Sequence, residues 1–168
     1  IPELPRMTDP AARIDPMSRQ LCPTRWFDDY EIGETFYIPS RTMTDALFSA
    51  FQLASGDNHP IHYDWHWCKA HGHRELLAHG YQVVIQTCAG AGQLPHVMGD
   101  ALVAFLEQGS KFLGAVYAGD TLYPQLRITE LKPGRSTGVM TCEATVHNQD
   151  GTLVMEGFHK YLLRKRPA

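Results

Sequence analysis

The sequence predicts an α+β domain in which an antiparallel sheet wraps around one buried helix. Two observations carry that prediction. The stretch Gly80–Leu94, GYQVVIQTCAGAGQL, spreads Tyr81, Val83, Val84, Ile85, Cys88, Ala89, Ala91 and Leu94 around nearly every side of a helical wheel. A helix apolar all round has to be buried on most sides. From Ala101 onward, short apolar segments alternate with turn residues, the pattern of a strand meander. One greasy helix followed by strands reads as a sheet packed over that helix.

The elements follow in order. Residues 1–25 carry Pro2, Pro5, Pro10, Pro16 and Pro23 with little periodicity, so they are expected to form an arm on the surface of a single domain spanning 26–168. Glu34–Thr42 reads as a strand, with Pro39 marking an edge or a bulge. Thr44 is a good N-cap for a helix presenting Leu47, Phe48, Phe51 and Ala54, which Ser55 and Gly56 stop. Asp57–His62 is then a loop stiffened by Pro60, and Asp64 caps a short helix from Trp65 to Ala70. In the predicted central helix, Gly90 and Gly92 lower helix propensity, a cost that makes sense where another backbone passes close by. Strands are predicted at Ala101–Glu107, Lys111–Tyr117, Thr121–Leu131, Gly138–His147 and Leu153–Leu163. Asn148–Gly151 closes a hairpin, with Asp-Gly supplying the positive φ values of such turns.

Composition narrows the function classes. A chain of 168 residues with 43% hydrophobic and 20% charged residues is an ordinary globular domain. Its net charge of -3 gives no footprint for nucleic acid or an anionic membrane surface. No apolar run is long enough to span a bilayer and no secretory pattern opens the chain, so a cytoplasmic protein is expected. Cys22, Cys68, Cys88 and Cys142 lie far apart without a CxxC pair, and are expected to be free, buried thiols.

The segment ASGDNHPIHYDWH, Ala54–His66, opens a histidine-rich stretch that runs to Gly80. Metal binding needs ligands at workable spacings. Glu75 follows His73 too closely for a cupin site, HExxH is absent, and the cysteines complete no set. No metal is expected. Asp57 and His62, five apart across a rigid loop, suit acid–base chemistry on a shared water. The plainer alternative makes Asp57 a cap for nearby backbone N–H groups and leaves His62 on the surface, and spacing alone favours it. Behind His79, Gly80 would open the buried helix, where unpaired N–H groups favour developing negative charge.

SGDNHPIHYD followed by LLAHGYQ resembles the MaoC-like dehydratases, the (R)-specific enoyl-CoA hydratase family, whose signature is S-G-D-x-N-P-[LIV]-H with a later H-G. The similarity extends through YEIGETF, KFLGAVYAGDTL and VHNQDGTLVMEG, about residues 26–165. The resemblance implies a hot dog fold, a long central helix wrapped by an antiparallel sheet, and a homodimer, with higher assembly open, whose site lies where two subunits meet. It implies reversible hydration of a 2-enoyl-CoA to the (R)-3-hydroxyacyl-CoA with no cofactor, the acyl-CoA thioester being the substrate. Asp57 and His62 match the catalytic pair and Gly80 the oxyanion-hole glycine, with division of roles between the pair left open.

Two positions depart from the family. His59 stands where asparagine is usual, with Asn58 one place earlier, so His59 either takes over a hydrogen bond to the pair or alters which substrate is accepted. Cys88 stands where some members carry a serine near the pocket, and a thiol is a weaker donor. His66, His71 and His73 read as surface or helix-end residues. Trp65 and Trp67 line a tunnel or simply pack, and Lys69, Arg74 and Lys111 meet CoA phosphates or are ordinary surface charge. A hot dog thioesterase and a non-catalytic acyl-CoA-binding subunit are the competing readings.

Overall fold

The computed structural model describes residues 20–167; the predicted N-terminal arm lies outside them except for residues 20–25. Strand β1 spans Thr35–Tyr37, β2 Arg41–Thr42, β3 Leu102–Phe112, β4 Thr121–Pro133, β5 Thr137–His147 and β6 Leu153–Arg164. They form an antiparallel sheet in the order β1-β4-β5-β6-β3, and β2 also pairs with β4. The single strand expected at Glu34–Thr42 is thus two short ones, broken where Pro39 cannot donate to the ladder. In β5 the alternation is strict: Met140, Cys142, Ala144 and Val146 are buried against the helices. The β5–β6 turn closes as expected, with one difference. Only Gly151 takes a positive φ, +74°, while the Asn148 side chain accepts the N–H groups of Asp150 and Thr152 and holds the turn.

Beyond Phe112 the expected strand Lys111–Tyr117 does not form as a separate element. β3 pairs with β6 only until Phe112 meets Met155, close to where β6 begins, and there the ladder runs out of partner. The chain then crosses to residues 76–78 through Ala78 N–H to Val116 O at 2.8 Å and Ala118 N–H to Leu76 O at 2.9 Å.

Helix α1 spans Asp45–Ser55 and α2 Trp65–Ala70. Gly56, at φ +70°, ends α1 by returning its N–H to Gln52 O at 2.9 Å. Asp64 caps α2 through the Trp67 N–H at 2.9 Å. The central segment differs most from expectation. It is divided into α3, Gly80–Val84, two 3₁₀ turns at Ile85–Thr87 and Ala89–Ala91, and α4, Leu94–Met98, with Cys88 extended at the break. Gly90, Gly92 and Pro95 concentrate the poorest helix formers there. Gly92 meets the predicted close approach, since a Cβ would stand 3.1 Å from the Tyr37 carbonyl oxygen; Gly90 faces open space. Val83, Thr87, Ala89, Leu94 and Met98 are buried, but Tyr81 is 67% and Ile85 46% exposed, so one side is not covered.

Two apolar clusters result, one around Leu94, Met98, Leu126, Met140 and Leu163, the other around Met43, Phe48, Val83, Leu122 and Met155. All four cysteines are free; Cys68 and Cys142 are buried as expected, whereas Cys22 is half-buried and Cys88 exposed. Burial pushes the Cys142 thiol up to about 12. Among the described residues no helix is long and apolar enough to cross a membrane.

Candidate active site

Three sequence-predicted residues meet at one place. A ligand-type atom from each of Asp57, His62 and His79 lies within 4.8 Å of the other two, and all three residues are half-buried. Local structure sets each one. The left-handed turn at Gly56 aims the chain so that Asp57 follows directly; Asp57 Oδ1 then accepts the His59 N–H at 2.9 Å. Pro60–His62 forms a single 3₁₀ turn, capped by His59 Nδ1, which accepts the Ile61 N–H at 3.3 Å. His79 occupies the N-cap of α3, its Nδ1 accepting the Tyr81 N–H at 3.1 Å.

Those bonds decide the tautomers. In His79, Nδ1 is an acceptor, so Nε2 carries the proton, and it faces Asp57 Oδ2 at 2.9 Å. In His62, Nδ1 lies 2.6 Å from the Leu77 carbonyl oxygen, which can only accept, so Nδ1 is protonated. The Nε2 of a neutral His62 is therefore a lone pair free to take a proton. Asp57 is ionised: the His59 N–H chiefly holds its carboxyl below the usual range, partial burial opposes this, and His62 and His79 add to it.

Leu77 is itself fixed from both sides. Its N–H donates to Ile61 O at 3.0 Å, and it bridges to Tyr117. Behind Tyr117, buried Asp120 accepts the Tyr117 N–H at 2.8 Å, Arg74 at 2.6 Å on both oxygens and Gln149 at 3.1 Å. Burial alone would raise the Asp120 carboxyl; those donors outweigh it and hold it low.

Two imidazoles and one carboxylate are also a metal-ligand set. The hydrogen bonds argue against that use. A metal on His79 Nε2 would need the proton on Nδ1, which would then point at the Tyr81 N–H, donor against donor.

The remaining predicted residues divide. Gly80 begins α3 beside His79, and among the described residues its N–H has no partner. A Cβ there would stand 2.8 Å from Phe112 Cζ, so any side chain would have to push the Phe112 ring aside. Gly80 lines a cavity of about 370 Å³ with His79, Tyr81, Val84, Gln108, Ser110 and Phe112. His59 reaches Asp57 through its backbone, while its ring caps the next turn and sits edge-on to Trp67 at 5.5 Å. Asn58 turns away and accepts from Gln52 at 3.3 Å. Cys88 stands at the helix break, outside the lining of this cavity. Lys69 lies over the Trp65 ring at 3.6 Å, and Lys111 lies 3.7 Å from Glu156. Sequence reasoning set His79 directly before Gly80 but missed its bond to Asp57, and it missed Gln108 and Ser110 altogether. An edge strand carries no periodic signal that says which face a cavity will take.

Comparison with known proteins follows the same line. The chain matches the family described as FAS1-like, dehydratase domain region, over residues 31–157. It is 25% identical over 136 residues to a 3-hydroxybutyryl-CoA dehydratase of Methylorubrum extorquens, covering 79% of this chain and 80% of that one. Among solved structures, a monoamine oxidase regulatory protein of Archaeoglobus fulgidus superposes with a TM-score of 0.80 at 25% identity, over 89% of this chain and 100% of that one. A conserved hypothetical protein of Mycobacterium tuberculosis with a double hot dog fold superposes with a TM-score of 0.73 at 27% identity, over 86% of this chain and 45% of that one. The resemblance to the MaoC-like dehydratases and (R)-hydratases read from the sequence therefore holds. The chain belongs to the FAS1-like dehydratase-region family, a hydro-lyase of the hydratase–dehydratase kind built on the hot dog fold.

Proposed function

We propose that the chain interconverts a 2-enoyl-CoA thioester and the (R)-3-hydroxyacyl-CoA, with Asp57 and His62 as a metal-free acid–base pair. The observation that carries this reading is the open Nε2 lone pair of His62 beside an ionised Asp57 that His79 holds at 2.9 Å. A water between them donates its proton to His62 Nε2 as its oxygen adds to Cβ. Electron density moves to the thioester oxygen, which the free Gly80 N–H receives. The proton then passes to Cα, restoring neutral His62. In the dehydration direction the same steps run backward. The CoA portion is supported by the 3-hydroxybutyryl-CoA dehydratase relative and the (R) configuration by the family resemblance.

The working unit is a homodimer. Among the described residues β3 is an unpaired edge of the sheet, along which Val103, Phe105, Leu106, Phe112 and Leu113 are about half exposed, and Tyr81 and Ile85 of the central segment are exposed as well. Such an edge invites a second chain, and here the cavity beside Gly80 opens along it. The protein works in the cytoplasm, where four free cysteines persist as thiols.

Incubation with 2-butenoyl-CoA tests the reaction type. Loss of the conjugated thioester's absorbance without release of free CoA is expected. Release of a thiol at the same rate identifies a thioesterase instead, and binding without either change identifies a non-catalytic subunit.

A further inference from the structure

The cavity beside Gly80 is not lined as a slot for a hydrocarbon tail. Period-two geometry puts Gln108, Ser110 and Phe112 of β3 on one face of the strand, and all three line it. Val84, Tyr81 and Phe112 supply apolar walls, but at its floor the Gln108 Nε2 donates to Ser110 Oγ. That bond uses one acceptor site of Ser110 and one proton of Gln108. The Ser110 O–H, the second Gln108 N–H and the Gln108 carbonyl have no partner among the described residues. Both residues are half-buried.

Charge and size narrow the ligand further. Among the described residues the lining holds no lysine or arginine, and its only titratable side chains are His79, committed to Asp57, and Tyr81. A carboxylate on the acyl chain would enter without a counter-charge. At about 370 Å³ the cavity is near the small end of ligand pockets, which run from about 300 to 1,000 Å³.

We propose that the acyl chain this site accepts is short and carries a neutral oxygen, a hydroxyl or carbonyl, that Gln108 and Ser110 recognise by hydrogen bonds. The proposal rests on the reading of Gly80 as the thioester anchor, which places the acyl chain in this cavity. Gln108 and Ser110 are specificity residues; they take no part in proton transfer.

The test compares kcat/KM for 2-butenoyl-CoA, 4-hydroxy-2-butenoyl-CoA and the charged monothioester of butenedioic acid. The hydroxylated substrate is expected to lead 2-butenoyl-CoA by about tenfold, the scale of one or two hydrogen bonds made in a partly enclosed site. In Gln108→Leu and in Ser110→Ala that ratio is expected to fall toward one, whatever happens to the individual rates. The ratio is read within each variant, so a change in the amount of folded protein cancels. A ratio at or below one in the wild type, a ratio unmoved by both variants, or a preference for the charged substrate overturns the proposal while leaving hydration itself intact. No turnover of any of the three defeats the hydratase reading on which it rests.

Discussion

His79 donates its Nε2 proton to Asp57 Oδ2 at 2.9 Å while its own Nδ1 caps the helix that begins at Gly80. One side chain therefore links the carboxylate of the proposed acid–base pair to the start of the helix that carries Gly80, the proposed thioester anchor. In the proposed mechanism His79 positions Asp57. His79→Ala removes that hydrogen bond to the Asp57 carboxylate, so kcat is expected to fall by about tenfold. His79→Gln, which keeps a donor, is expected to recover part of that loss, and a steady-state comparison of the two variants checks it.

Gly80 and Phe112 are expected to behave as a pair. Gly80→Ala drives a methyl to within 2.8 Å of the Phe112 ring, half-exposed at the sheet edge and able to move, so the cost falls on the cavity more than on the fold. A rise in KM of at least about fivefold is expected, since a contact of that kind costs about 1 kcal/mol or more. Adding Phe112→Ala removes the obstructing ring, and a double-mutant cycle in kcat/KM is expected to show coupling of about 1 kcal/mol.

The hydrogen bonds of His79 also predict the response to chelators. Because its Nδ1 is held as an acceptor by Tyr81, the three polar residues do not present a ready metal site. Prolonged dialysis against a chelator is expected to leave the hydration rate unchanged. A rate lost to the chelator and restored by a divalent cation contradicts the tautomers assigned here.

Buried His159 sets a pH dependence of stability. Its chain of bonds runs from the Tyr161 hydroxyl into Nδ1 at 2.9 Å, from Nε2 to Thr87 Oγ1 at 3.2 Å, and from Thr87 to Val84 O at 2.7 Å. Every group is paired only while the imidazole is neutral, and burial pushes its pKa down to about 4. The unfolded chain binds this proton near pH 6.5, so stability from His159 is complete above that value and is lost as pH falls toward 4. The loss amounts to about 3 kcal/mol. His159→Gln is expected to flatten the fall in Tm between pH 6.5 and 4, while a curve unchanged by the substitution contradicts this assignment.

Asp120 supports the site from a distance. Asp120→Ala leaves the Tyr117 N–H, Arg74 and Gln149 without their shared acceptor and is expected to cost about 1.5–3 kcal/mol, a drop of several degrees in Tm. Loosening Tyr117 frees Leu77, whose carbonyl orients His62, so kcat is expected to fall in the same variant at temperatures where it remains folded. Thermal unfolding and initial rates on one preparation check both effects.

Much of this was legible in the sequence because the determinants are local. Gly56 and Asp64 mark helix ends by backbone rules that act over three or four residues, and β5 announces itself by alternation. The break at Cys88 was not legible. Apolar periodicity reports which side chains seek burial and is blind to a chain that stays buried while its helix is interrupted by Gly90, Gly92 and Pro95. The pairing of Asp57 with His79 was hidden for another reason. Their contact spans the end of α1 and the start of α3, and no rule of spacing joins them. Gln108 and Ser110 sit on an edge strand whose exposed and cavity faces look alike in sequence.

The central claim, that Asp57 and His62 act together on the attacking water, is tested most directly by the hydration rate of 2-butenoyl-CoA in Asp57→Asn and His62→Ala, each confirmed folded by circular dichroism. Each variant is expected to lose at least about a hundredfold in kcat, the scale of a positioned acid–base group. Near wild-type rates in both folded variants contradict the account.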